Sequence, residues 1–226
     1  MNILKLNNQA LSELPSSVSR PSYDRSKIKT GIVHVGIGGF HRSHQAYYLD
    51  QLLEQNDASY DWGICGVSLL EGDAKIHHVL QRQDGLYTLT IKNPEGTFRQ
   101  IVIGSLVEYL FGIENPQQVI HKMAEPDVKI ISLTITEGGY NYNESTESFD
   151  FENPLIQHDL SNHSQPKTIF GYLTQALKIR KRKGLNGVTI QSCDNIQGNG
   201  KMAKKMLLSY IEKAEPELLE LSLIHI

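Results

Sequence analysis

The stretch GIVHVGIGGFHRSHQAYYLDQLLEQ, residues 31–55, constrains this chain more than any other. A β-branched run over residues 31–35 breaks into Gly36, Gly38 and Gly39, then passes into a polar–apolar helical pattern over residues 40–54. Glycines there let the backbone turn sharply and let a ligand approach with no Cβ in the way. A helix behind them offers free N–H groups and a positive dipole end to an anion. The pattern is the opening of a dinucleotide-binding fold, with a pyrophosphate as the anion. The strict spacing puts a third glycine at position 41, where His41 stands, so this segment alone also admits a glycine turn with no ligand.

Composition sets the bounds. With 226 residues, 39% of them hydrophobic, the chain has material for one α/β domain or a domain with a small appendage. A net charge of -3 gives no electrostatic reason to expect nucleic acid or an anionic membrane as partner. No run approaches the roughly 20 apolar residues that span a bilayer. The first 21 residues lack the apolar segment of a signal peptide, which makes the cytoplasm the expected compartment. The two cysteines, Cys65 and Cys193, lie in or just after apolar runs and read as buried free thiols.

Strand-like and helix-like segments alternate along the chain. Residues 62–69 read as a second buried strand and 73–83 as a short helix; residues 87–93 and 97–104 read as a β-hairpin inserted in the series. Prolines bracket a helix at 115–126, and residues 128–140 read as a long buried strand ending in glycines. Residues 141–167 are polar, acidic and Pro-punctuated, an extended surface excursion. A helix over 168–183, a strand at 187–195 and a last helix from about residue 200 follow. The expected fold is α/β: a doubly wound, mostly parallel sheet with an inserted hairpin, occupying residues 30–226 behind an N-terminal extension, 1–29.

Ligands of such sheets bind beyond the carboxyl ends of the strands. The second strand is followed by Glu71 and Asp73, where a carboxylate accepts hydrogen bonds from an adenosine ribose; the spacing from the glycines is long for that role, and an acid there also caps a helix. Thr134, Thr136, Glu137, Gly138, Gly139 and Tyr140 follow the later strand and suit a nicotinamide or a polyhydroxylated substrate. Residues 192–195 end in Asn195, a carboxamide able to stabilise an alkoxide without titrating, or an Asn closing a turn. His41 and His44 have the spacing of a metal pair but no accompanying Cys or acidic ligands, so no metal is expected. His77 and His78 read as packing or capping residues, and the basic run 178–183 as a solvated helix end.

Three segments, GIGGFHRSHQAYYLDQLL, SLTITEGGYN and SCDNIQGNG, resemble in the same order the polyol-specific long-chain dehydrogenases, the mannitol 2-dehydrogenase and fructuronate reductase group. The resemblance runs over residues 30–205, and the G-x-G-G-F-x-R-x-H form looks like that family's own variant of the fingerprint. It implies a Rossmann-type cofactor domain and metal-independent, NAD-dependent interconversion of a sugar alcohol and its ketose, with mannitol and fructose favoured over a uronate or arabinitol. Gly36, Gly38, Gly39, Phe40, Glu71, Asp73, Thr136 and Glu137 are then the cofactor residues, and Asn195 is half of an oxyanion hole. Arg42, His44 and Tyr140 are the substrate-side candidates. The family's helical C-terminal domain, which carries the general-base lysine, has no counterpart in this chain. The end at 221–226 accordingly reads as a truncation with residues that need not be native, and the missing domain as the chain's own partner. A non-catalytic NAD(H)-binding module is the alternative function.

Overall fold

The computed structural model describes residues 4–223; the sequence expectation about the final residues, 224–226, lies outside them. Its elements are β1 (Val18–Ser19), β2 (Thr30–Val35), α1 (Gly39–Ser43), α2 (Gln45–Leu53), β3 (Gly63–Ser68), α3 (Ala74–Arg82), β4 (Tyr87–Lys92), β5 (Phe98–Ile103) and β6 (Leu106–Phe111). There follow α4 (Pro116–Met123), β7 (Ile130–Leu133), α5 (Thr136–Gly139), β8 (Tyr142–Asn143), β9 (Ser148–Phe149), α6 (Pro154–Ser161), α7 (Ile169–Arg182), β10 (Thr189–Ser192), α8 (Asn199–Ala214) and α9 (Leu219–Leu223).

Five parallel strands make the central sheet in the order β10-β7-β2-β3-β6. The chain enters at the middle, winds outward through β3 and β6, then returns to lay β7 and β10 on the other side of β2. The doubly wound, Rossmann-type sheet is therefore present, with its switch point between β2 and β7. Both faces of β2, β3 and β7 are covered, so these strands read as apolar runs, whereas β10, at the sheet edge, is not the buried strand expected: Thr189 and Gln191 are exposed. On one face Val33, Val35, Cys65 and Val67 join the buried residues of α4, α7 and α8. On the other, Ile64 and Leu106 pack with Ile37, Ala46, Leu80 and Ile103.

The inserted hairpin is also present, β4 pairing antiparallel with β5 from Tyr87↔Ile103 to Lys92↔Phe98. Its small sheet gains β1, parallel to β5, from the N-terminal segment. That segment is tied down further: Tyr23 is buried, and Arg25 donates to the carbonyls of Gly104, Leu106 and Asp84.

Four expectations are corrected. The helix over 40–54 is two helices, because His44 (φ -122°, ψ -87°) leaves the helical region while the Ser43 hydroxyl donates back to the Gly39 and Phe40 carbonyls. The strand over 128–140 stops at Leu133, and residues 136–139 turn helically as α5, since the Asp194 carboxylate takes the N–H groups of Ile135 and Thr136. The stretch 141–167 holds a short hairpin, β8–β9, and the helix α6. The basic run is not a solvated end throughout: Arg180 is buried and donates to the carbonyls of Glu125, Asn186 and Gly187, and Lys178 pairs with Glu215. The strand β6, which the sequence did not announce, follows β5 after only Gly104 and Ser105. The two cysteines are free; Cys65 is buried and Cys193 half-buried. His77 packs between Tyr109 and Phe111, as a packing residue should.

A buried carboxylate holds α6 to α7. Asp159 accepts from the N–H of Lys167 (2.7 Å), the N–H of Thr168 (2.8 Å) and the Thr168 hydroxyl (2.7 Å), while Thr168 caps α7. Replacing Asp159 by Ala leaves these donors buried without an acceptor, at a cost of about 1–3 kcal/mol each. The expected result is a loss of about 3 kcal/mol or more in urea unfolding, with new proteolytic cleavage inside residues 141–167; an Ala variant as stable as the parent would contradict the assignment.

Candidate functional site

At the switch point, the carboxyl ends of β2, β3 and β7 open into a cleft of about 360 Å³. One wall is Val35 and Gly36, a second Leu69, Leu70 and Asp73, and a third the turn Thr134–Ile135–Thr136 with Gly138 and Gly139. Asn141, Asn153, Leu155, Lys167, Thr168 and Ile169 close the far side from the 141–168 excursion.

Gly36 has φ +100°, and a Cβ there would lie 2.1 Å from the Thr134 carbonyl oxygen. No other residue fits. A Cβ on Gly38 or Gly39 would meet nothing within 4 Å, so these two glycines bound open space rather than protein. Phe40, at the head of α1, is exposed and stacks on His44, their ring centroids 4.4 Å apart. The break at His44 leaves α1 only five residues long, so it has no long-helix dipole, and none of its residues lines the cleft.

Asp73 lines the cleft at the N-terminal end of α3, and its side chain makes no capping hydrogen bond. The expected capping hydrogen bond is thus absent. Glu71 is exposed and outside the cleft lining. Thr136 is in the cleft with φ +62°, a conformation kept by Asp194, whereas Glu137 is exposed beside it. Arg42 donates to the Ile37 carbonyl (2.5 Å) and its own carbonyl accepts from Tyr87, which makes it a brace for the glycine turn. His44 is exposed.

Tyr140 is not available to a substrate. Its ring is 1% exposed, and its hydroxyl donates to Asp194 (2.7 Å) and pairs with Ser192 (2.7 Å). Burial among these groups pushes its pKa up. The polar cluster after β10 thus works mainly through Asp194, which joins the ends of β7 and β10; an acid just after a strand was the available signal. Asn195 lies beside it, exposed and without a hydrogen bond to a described residue, outside the cleft lining. Among the described residues no group of three or more His, Cys, Asp or Glu could hold a metal, and no helix is long and apolar enough to cross a membrane.

Beneath the glycine turn lie two buried histidines. His34 and His41 stack with ring centroids 3.6 Å apart. Burial lowers the pKa of His34 to about 4, and burial with the facing His34 ring lowers that of His41 further. The native protein keeps both rings neutral, while the unfolded chain protonates them below about pH 6.5. Their contribution to stability is thus full above about pH 6.5 and is lost as the pH falls toward 4. Going from about pH 7.5 to about pH 5 should remove about 2 kcal/mol for His34 alone, at about 1.4 kcal/mol per pH unit. Urea unfolding across that range should show a steeper pH dependence in the parent than in a His41→Asn variant; equal slopes would mean the rings are charged in the native state.

Comparison with known proteins agrees with this geometry. The family described as the mannitol dehydrogenase Rossmann domain matches residues 30–223. A mannitol 2-dehydrogenase of Phaeosphaeria nodorum is 47% identical over 95% of this chain and 37% of its own length. The polyol:NADP oxidoreductase of Gluconobacter oxydans is 42% identical over 94% of this chain and 44% of its own length. Among solved structures, the Pseudomonas fluorescens mannitol 2-dehydrogenase in ternary complex with NAD and D-mannitol superposes with TM-score 0.93 at 41% identity, covering 98% of this chain and 45% of that one. The chain spans less than half the length of these relatives. By the extent of the match and the identity of its fold, it belongs to the mannitol dehydrogenase family and corresponds to that family's Rossmann domain.

Proposed function

We propose that this chain is the cofactor-binding part of an NAD-dependent dehydrogenase that interconverts a sugar alcohol and its ketose, mannitol and fructose in the first place. The observation that carries the reading is the pairing, in one cleft at the switch point, of the Gly36 turn with the uncommitted carboxylate of Asp73. The relatives support it, one of them solved with NAD and D-mannitol.

The residues fit such a cofactor. Gly36 lines the cleft, Gly38 and Gly39 bring backbone up to open space where a pyrophosphate would lie, and Asp73 would accept hydrogen bonds from the adenosine ribose and repel a 2′-phosphate. Of the further cofactor candidates only Thr136 lines this cleft; Phe40, Glu137 and Glu71 are exposed outside its lining, and Arg42 braces the turn. When bound, the nicotinamide accepts a hydride from the carbinol carbon. Asn195 would donate from its carboxamide to the substrate oxygen and stabilise the charge that develops as its proton leaves. The base that takes this proton is assigned, through the family resemblance, to a lysine outside this chain. The chain alone is therefore expected to bind cofactor and to turn over little substrate.

Titration with NADH, followed by energy transfer from Trp62 and the tyrosines, tests the reading. Saturable binding tighter for NADH than for NADPH is expected; a folded chain that binds neither overturns it. Gly38→Ala places its methyl in open space, so the circular dichroism and unfolding midpoint should stay unchanged while NADH affinity falls about tenfold, or about 1.4 kcal/mol. Equal affinity would show that no ligand passes there. Asp73→Ser should narrow or reverse the preference for NADH over NADPH about tenfold, and an unaltered ratio would remove Asp73 from ribose recognition.

A further inference from the structure

Three donors converge on the carbonyl oxygen of Gly36: the Gly38 N–H at 2.8 Å, the Thr134 hydroxyl at 2.6 Å and the His34 Nε2 at 3.1 Å. A carbonyl only accepts, and the Thr134 proton is already committed to it, so the His34 contact to Thr134 Oγ1 (3.0 Å) must also be a donation from Nε2–H. With the proton on Nε2, His34 Nδ1 accepts from the Ser132 hydroxyl at 2.8 Å. Ser132 Oγ lies 3.3 Å from both Gln45 Oε1 and the Gln45 amide N–H₂; its one proton goes to His34 Nδ1, the nearer acceptor, so Ser132 Oγ accepts from the amide, and Gln45 Oε1 accepts from His41 Nδ1–H at 3.1 Å.

Each link orients the next. The result is a single directed chain, His41 to Gln45 to Ser132 to His34 to Gly36, with the two rings in opposite tautomers. His41 Nε2 is buried with no hydrogen-bond partner, and with the proton on Nδ1 it is a bare acceptor rather than an unpaired N–H. The chain joins α1, α2, β7 and β2, the four elements that meet at the turn.

We propose that His34, oriented through Ser132, Gln45 and His41, is a positioning residue that fixes the Gly36 carbonyl and so sets the glycine turn for the cofactor's pyrophosphate. The proposal rests on the cofactor reading above. His34 does not face the cleft; it acts through the backbone oxygen it holds.

Two variants and one spectrum test it. His34→Gln keeps an amide N–H near the position of Nε2, whereas His34→Leu removes the donor at similar bulk. With the fold checked by circular dichroism, the Leu variant should bind NADH at least about tenfold more weakly than the parent and the Gln variant within about threefold. Nitrogen-15 spectra of the parent near pH 6 should show both rings neutral, His34 protonated on Nε2 and His41 on Nδ1, with the His34 resonances moving on saturation with NADH. Should the Leu variant fail to fold, the spectrum decides. A Leu variant that binds like the parent, a charged ring, or two rings in the same tautomer overturns the positioning role while leaving the cofactor reading intact. A parent that binds no NADH overturns both.

Discussion

At Gly36 the end of β2 passes so close to the end of β7 that the Thr134 carbonyl occupies the place of a side chain. Up to that point the two strands run in register, His34 beside Ser132 and Val35 beside Leu133. Beyond it they part: β2 leads into α1 on one side of the sheet, and β7 into the α5 turn on the other. The gap between the diverging chains is the cleft, so its position follows from one contact that only a glycine with φ +100° permits.

Three aspartates carry much of the irregular backbone around that contact. Asp50 accepts from the Gly104 N–H and the Tyr23 hydroxyl where β5 passes into β6; Asp159 accepts from residues 167 and 168 at the head of α7; Asp194 accepts from residues 135 and 136 and from Tyr140. A carboxylate has several acceptor positions and no donor, which matches chain bends that leave backbone N–H groups unpaired. Burial raises the pKa of Asp50 against the hydrogen bonds that lower it. These acids are buried or half-buried and none forms a close ion pair with a lysine or arginine of the described residues, a role that local pattern does not reveal because most acids in a sequence lie at the surface.

The legible features were those carried by short-range order. Apolar runs at 31–35 and 62–69, the Pro-Glu-Gly hairpin turn and the proline-started α4 each follow from the preferences of adjacent residues, and all are found. The misread ones depended on distant groups. Nothing local ends β7 at Leu133, since Thr134, Ile135 and Thr136 look as strand-like as the residues before; Asp194, some 60 residues on, takes the N–H groups that would have continued the ladder. Gly104–Ser105 is too slight a break to announce β6, and the bend there is held by Asp50 and Arg25 from elsewhere in the chain. Tyr140 looked like a substrate contact by its place after a strand, yet its ring lies in the core and its hydroxyl ends on Asp194 and Ser192.

The glycines at 36, 38 and 39 and the acid at 73 stood out in the sequence as candidates because their chemistry is independent of neighbours: one kind lacks a side chain, the other is charged; the fold brings Gly36 and Asp73 into one cleft. Strand order, the closing wall from residues 141–168 and the tautomers of His34 and His41 were not, because each depends on which groups meet across the fold. Periodicity records which residues leave water, and so reveals the elements and the covered faces. It carries no information about which hydrogen-bond donor meets which acceptor, and in this protein those pairings, around Gly36 and Asp194, shape the site.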